Sequence, residues 1–224
     1  MRIGIIGAGE IAEALGSRWA RAGHEILIGA RSHERAAKLA AAIGGTSRSG
    51  GIRDAAEFGA ATLLAVPASA LAEVLDVAGA AAGVFEGRTL IDCTNAFVPD
   101  ESAEPGTPSL VLSEEGVAER IANSAVGAHV VKAFNLCAAE VWESDQHVFD
   151  GKRLIVPLCG DDPSALATVE TLATDLDSVP IRAGGLHRAR YLEATTAFVV
   201  GLWFAGHDAR SIFPAQDEAF AAAD

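Results

Sequence analysis

The chain opens with a strand pattern, Arg2–Ile6, followed at once by Gly7-Ala8-Gly9-Glu10-Ile11-Ala12 and then a helical pattern. This strand, glycine turn and helix constrain the fold more than any other feature. In a G-x-G-x-x-A turn, Gly7 permits the sharp bend, Gly9 lets a phosphate approach the backbone, and Ala12 is small enough for close helix–strand packing. Unpaired amides at the start of the helix then form a seat for an anion. Gly7, Ala8, Gly9, Glu10 and Ile11 are therefore candidates to hold a diphosphate. The motif predicts an α/β chain with a Rossmann-type, doubly wound parallel sheet.

The following residues keep the rhythm. Short continuous apolar runs at Ile3–Ile6, Ile26–Ile28, Thr62–Val66, Leu90–Ile91 and Val130–Phe134 read as strands buried on both faces. Helical patterns at Ile11–Ala22, His33–Ile43, Ser69–Ala78 and Glu114–Asn123 separate most of them, and right-handed crossovers put helices on both sides. Gly44–Gly51 and the Pro-rich, acidic Val98–Glu115 read as loops. Further strands are expected at Arg153–Leu158 and Val179–Arg182. A helix over Pro163–Asp175 would be capped by Asp161 or Asp162, and a last apolar helix covers Arg188–Ala205, with Trp203 and Phe204 in its core. The organisation predicted is a dinucleotide-binding domain over residues 1–138 and a small C-terminal α/β part over 139–224 that closes the cleft.

The end of the second strand selects the dinucleotide. A site for NAD carries Asp or Glu there to bond the ribose 2′-hydroxyl. No acid stands between Ile26 and His33; instead the sequence reads Gly29-Ala30-Arg31-Ser32-His33, with Arg35 one helical turn on. A guanidinium and a hydroxyl suit a 2′-phosphate, so NADP(H) is the expected cofactor. Ligands in open α/β sheets gather at the carboxyl ends of strands. Those ends supply Val66 and Pro67, then Asn95, then Ala133, Phe134 and Asn135. Lys132 is either a catalytic group or the partner of a nearby carboxylate, and Asp92 and His129 are read as structural.

The formal charge of −13 disfavours nucleic acid as a partner. No apolar run reaches about 18 residues, so no membrane span is expected, and no signal-peptide pattern precedes the first strand. Cys93, Cys137 and Cys159 are read as buried apolar residues of a protein from a reducing, cytoplasmic compartment. No metal-ligand spacing and no Ser-His-Asp or Cys-His set is present. Hydride transfer needs none, because positioning two rings does most of the catalysis.

At these strand ends the sequence resembles the NADPH-dependent coenzyme F420 reductases, with the oxidoreductase domain of STEAP metalloreductases as a cousin. The resemblance rests on Met1–Gly9, Gly29–Ser32, Val130-Val131-Lys132-Ala133-Phe134-Asn135, Pro157–Asp162, Ala183–Leu186 and Arg190–Glu193. It implies an oxidoreductase that passes hydride between NADP(H) and a deazaflavin, coenzyme F420, the small-molecule acceptor. It implies that Gly7 to Ile11 follow the diphosphate, and that Arg31, Ser32 and Arg35 hold the 2′-phosphate. Val66, Pro67 and Asn95 would flank the nicotinamide, with Ala133 to Leu136 as the cleft floor. It also implies a homodimer. Two departures stand out: the acidic loop after Asn95 would repel the anionic tail of F420, and the last helix is unusually bulky. A flavin, imine or enone acceptor, or a non-catalytic NADP-binding sensor, remain alternatives.

Overall fold

A computed structural model describes residues 1–104, 109–114, 116–149 and 151–212. Its strands are β1 (Arg2–Ile6), β2 (Glu25–Gly29), β3 (Arg48–Gly50), β4 (Ala61–Leu64), β5 (Thr89–Asp92), β6 (Phe97–Pro99), β7 (Leu110–Leu112), β8 (His129–Lys132), β9 (Val148–Phe149), β10 (Lys152–Arg153), β11 (Ile155–Gly160) and β12 (Val179–Gly184). Its helices are α1 (Glu10–Arg21), α2 (His33–Ile43), α3 (Ile52–Phe58), α4 (Leu71–Ala78), α5 (Val117–Ser124), α6 (Ala139–Glu143), α7 (Pro163–Thr174) and α8 (Ala189–Phe204).

Eight strands form one sheet in the order β12-β11-β8-β5-β4-β1-β2-β3. All neighbours are parallel except β8 and β11, which pair antiparallel at Cys159–Lys132 and Gly160–Val131. The order reverses between β1 and β4, as in doubly wound sheets. Two apolar layers sandwich the sheet. One joins Ile3, Ile5 and Ile28 to Leu15 and Trp19 of α1, Leu39 of α2, Trp142 of α6 and Leu172 of α7. The other joins Ile6, Leu64 and Leu90 to Ala55 of α3, Leu75 of α4, Ile121 of α5 and Ala189 of α8. Residues 139–212 add β11 and β12 to this same sheet, with α7 on one face and α8 on the other.

The expected strands and longer helices are present within a few residues. Asp162 caps α7, its Oδ1 accepting from Ala165 N at 2.7 Å. Three expectations need correction. Gly44–Gly51 is not all loop, since Arg48–Gly50 forms the edge strand β3, and α3 follows it. The Val98–Glu115 segment contains an antiparallel pair, β6 with β7; Pro105, Pro108 and Glu115 lie outside the described residues. Trp203 and Phe204 are not core: they are 49% and 67% exposed. Helix α8 is apolar on most sides, and hydropathy alone cannot say which side is covered.

Helix α3 lies unusually close to the sheet. A Cβ at Gly4 would sit 1.9 Å from the Ala55 carbonyl oxygen, and one at Gly29 2.6 Å from that of Gly51. Both contacts are with backbone, so no side chain can swing aside. Gly4→Ala should therefore lower stability by about 1–3 kcal/mol, the usual cost of overpacking, measurable as a lower urea midpoint with an unchanged slope.

Candidate functional site

The turn from β1 into α1 is shaped by two different requirements. Gly7 has φ +128, and a Cβ there would meet the Ala65 carbonyl oxygen at 2.0 Å, so the fold itself demands glycine. Gly9 is the opposite case: a Cβ there would meet nothing within 4 Å. It is the N-cap of α1, and no side chain caps the helix. The free amides of the first turn thus face open space, as an anion seat requires.

That space is a crevice of about 380 Å³ at the carboxyl ends of β1, β2 and β4. Its walls bring together Gly7, Ala8 and Gly9 with Arg31, Ser32 and Arg35. Val66 and Pro67 close it on the β4 side, with Ala70 and Val74 beyond. The turn, the cationic end of β2 and the Val-Pro wall therefore line one crevice. Ser32 caps α2 by accepting from Arg35 N at 3.2 Å. Arg35 reaches back to the Ala8 carbonyl at 3.2 Å. Arg31 donates to Glu73 of α4 at 3.1 Å. Glu73 had no counterpart in the sequence reading, because the contact spans two elements far apart in the chain.

Other predicted residues lie elsewhere. Glu10 and Ile11 start α1 but are not among the crevice walls. Asn95 follows β5 and is half-buried, its Nδ2 donating to the Asn135 carbonyl at 2.9 Å while Asn135 Nδ2 returns a bond to Asn95 Oδ1 at 3.0 Å. Ala133 is fully buried, and Phe134 is buried at the end of β8. Its ring packs edge-on between Trp19 and Trp142, each 5.7 Å away, with φ +63 turning the chain at the end of β8. Lys132 is fully buried and paired to Asp92 at 2.9 Å and Glu193 at 2.8 Å, which is the carboxylate-partner alternative. Glu193 is a second residue missed. A lone acid within an apolar helix was the available signal.

Among the described residues no group of three His, Cys, Asp or Glu is placed to hold a metal ion. None of their helices is long and apolar enough to cross a membrane.

The family model described as "NADP oxidoreductase coenzyme F420-dependent" matches residues 2–96. The F420-dependent NADP reductase of Methanothermobacter thermautotrophicus is 31% identical over 224 residues, covering 90% of this chain and 89% of that protein. The chain belongs to the F420-dependent NADP reductase family. It is an oxidoreductase. Metalloreductase STEAP3 of Rattus norvegicus is 26% identical over 90% of this chain, which spans only 38% of the STEAP3 length. A crystal structure from Arthrobacter sp. FB24, provisionally named an F420-dependent NADP reductase, superposes with a TM-score of 0.77 at 24% identity. The match covers 92% of this chain and 95% of that one, and at that identity it bears on the fold.

The thiols of this family member are poor nucleophiles. Burial, helped by the neighbouring Asp92, pushes Cys93 from an ordinary 9.0 up to about 12. Burial alone pushes Cys137 from 9.0 to about 11. A raised thiol pKa favours the folded state only while the thiol stays protonated. That stability is complete below the unfolded value and is lost as pH rises towards the folded one. The urea midpoint should therefore fall as pH is raised from about 9 to 11, and Cys93→Ala should flatten part of that slope. A slope identical in the variant would refute the burial argument.

Proposed function

We propose that the crevice holds NADP(H), and that the chain passes hydride between this cofactor and coenzyme F420. One observation carries the cofactor half: a glycine turn open at Gly9 shares one crevice with Arg31, Ser32 and Arg35, and β2 ends without an acid. In this reading the amides of the Gly7–Ile11 turn bind the diphosphate, with no residue required to change protonation. Arg31 and Arg35 would hold the 2′-phosphate, Arg31 leaving Glu73 to do so. Val66 and Pro67 would press on the nicotinamide ribose and exclude water. Asn95 and Asn135 would orient the ring end.

When bound, NADPH supplies hydride from the nicotinamide C4, which F420 accepts at its deazaflavin C5 while solvent delivers the balancing proton. F420 is favoured over a flavin, imine or enone acceptor because the family members aligned over most of this chain carry that name. The acidic segment after Asn95 is less repulsive than its composition implies. Glu114 is bound in two places by Arg120, at 2.7 and 2.8 Å. We further propose that residues 139–224 act as the small part closing the cleft and that the protein works in the cytoplasm. Helix α8 exposes Tyr191 and Phe198 on one side and Trp203 and Phe204 at its end, and this uncovered apolar area supports a homodimer.

Two experiments test the proposal. Mixed with NADPH and oxidised F420, the enzyme should deplete the absorbance of both together. NADPH binding without turnover of F420 would reject this acceptor in favour of another substrate or of a sensor. Separately, Arg31→Glu should weaken NADPH by roughly tenfold or more while NADH binding changes little. An equal loss for both cofactors would remove the 2′-phosphate assignment.

A further inference from the structure

Lys132 is fully buried, and so are its partners Asp92 and Glu193. Its Nζ lies 2.9 Å from Asp92 Oδ2, 2.8 Å from Glu193 Oε1 and 2.5 Å from the Thr94 carbonyl. An ammonium has three donors. Here Asp92 and the Thr94 carbonyl take two of them, and the Glu193 carboxylate faces the ammonium as an ion pair, with no exposed surface left for a substrate. Desolvation pulls its pKa down, but Asp92 and Glu193 outweigh this and raise it above the ordinary lysine value, so it keeps its proton. Lys132 is thus neither an acid nor a base in the reaction.

Buried ion clusters are poor sources of stability, since apolar replacements often serve as well. What this one holds is more informative. Asp92 Oδ1 accepts from Thr94 N at 2.8 Å and Thr94 Oγ1 at 2.6 Å. With Lys132 on the Thr94 carbonyl, both sides of that residue are pinned, and the direction of the next residue, Asn95, is set. On α8, Glu193 Oε2 accepts from Val117 N at 3.2 Å. One turn on, Thr196 Oγ1 accepts from Asn135 Nδ2 at 3.2 Å, and Asn135 in turn holds Asn95.

Sheet order says what Asn95 would face. The crevice spans the ends of β2, β1 and β4, and β5 and β8 come next. A dinucleotide with its diphosphate at β1 and its adenosine towards β2 must send its other half past β4 to β5. We infer that Lys132, clamped by Asp92 and Glu193, is a positioning residue that aims Asn95 at the nicotinamide half of the cofactor and plays no part at the adenosine half. This rests on the NADP(H) reading above.

The test compares Lys132→Met and Glu193→Gln with wild type by calorimetric titration against NADPH and against adenosine 2′,5′-bisphosphate, which lacks the nicotinamide half. Both variants should lose about tenfold in NADPH affinity and keep their affinity for the fragment. The emission of bound NADPH should also shift towards that of the free cofactor. A purely structural role would lower the melting temperature without separating the two ligands. If Lys132→Met does not fold, the near-isosteric Glu193→Gln carries the comparison. Equal losses for both ligands, or no loss in the folded variants, would overturn this inference alone. A wild type that binds neither ligand would overturn the NADP(H) reading and this inference with it.

Discussion

Close backbone approach along β1 is the constraint from which the crevice follows. Gly4 lets α3 come within touching distance of the strand, and Gly7 lets the carbonyl of Ala65 lie beneath the turn. Hydrogen bonds from Gly7 N to Gly29 O at 2.8 Å and from Ala65 N to Ile6 O at 2.8 Å lock the ends of β1, β2 and β4 side by side. Larger side chains at Gly4 or Gly7 would push these elements apart. The amides of α1 would then no longer look into the same space as the β2 terminus. Gly9 differs because no part of the protein occupies the place its side chain would take.

Electrostatics in this protein works locally, against its overall charge. A chain of net charge −13 is a poor general host for anions, yet three sources of positive potential meet in one crevice: the α1 amides, Arg31 and Arg35. The Arg31–Glu73 pair is exposed on both sides, 64% and 58%. Such pairs contribute little to stability, about 0–1 kcal/mol, so a phosphate can compete for the guanidinium at small cost. The Lys132 cluster belongs to the other extreme. It is fully buried, one ammonium between two carboxylates, and it fixes geometry where the exposed pair permits exchange.

Much of this was legible in the sequence, and the gaps have physical causes. The glycine turn, the strands around it and the cationic end of β2 are local patterns, and local patterns survive without tertiary context. Helix α3 was missed because seven residues, Ile52–Phe58, give barely two turns of periodicity behind a Gly/Ser-rich stretch. Its trace was nevertheless present: Gly4 and Gly29 inside strands mark a close backbone neighbour. Strands β6 and β7 are three residues each and sit among prolines and acids, too short to alternate visibly. The aromatic residues of α8 read as core because hydropathy records apolarity and says nothing of what covers it. Lys132 with Asp92 and Glu193, and Asn95 with Asn135, join residues distant in sequence, so no window along the chain contains them.

These placements also bear on why an NADP-dependent oxidoreductase can lack a recognisable catalytic set. Among the described residues, the groups at the carboxyl ends of β5 and β8 that might have served as acid, base or nucleophile are already committed. Cys93 is buried and its thiol held protonated, Lys132 is buried between Asp92 and Glu193, and Asp92 is spent on Thr94 and Lys132. His129 lies 3.7 Å from Asp162. What remains uncommitted is geometry: open amides, guanidinium groups with weak partners, an apolar Val66–Pro67 wall and two mutually bonded asparagine side chains. Such a set can hold a dinucleotide and orient one ring against another. In a reaction whose moving group carries its own electron pair, orientation in a dry slot is the principal contribution a protein can make.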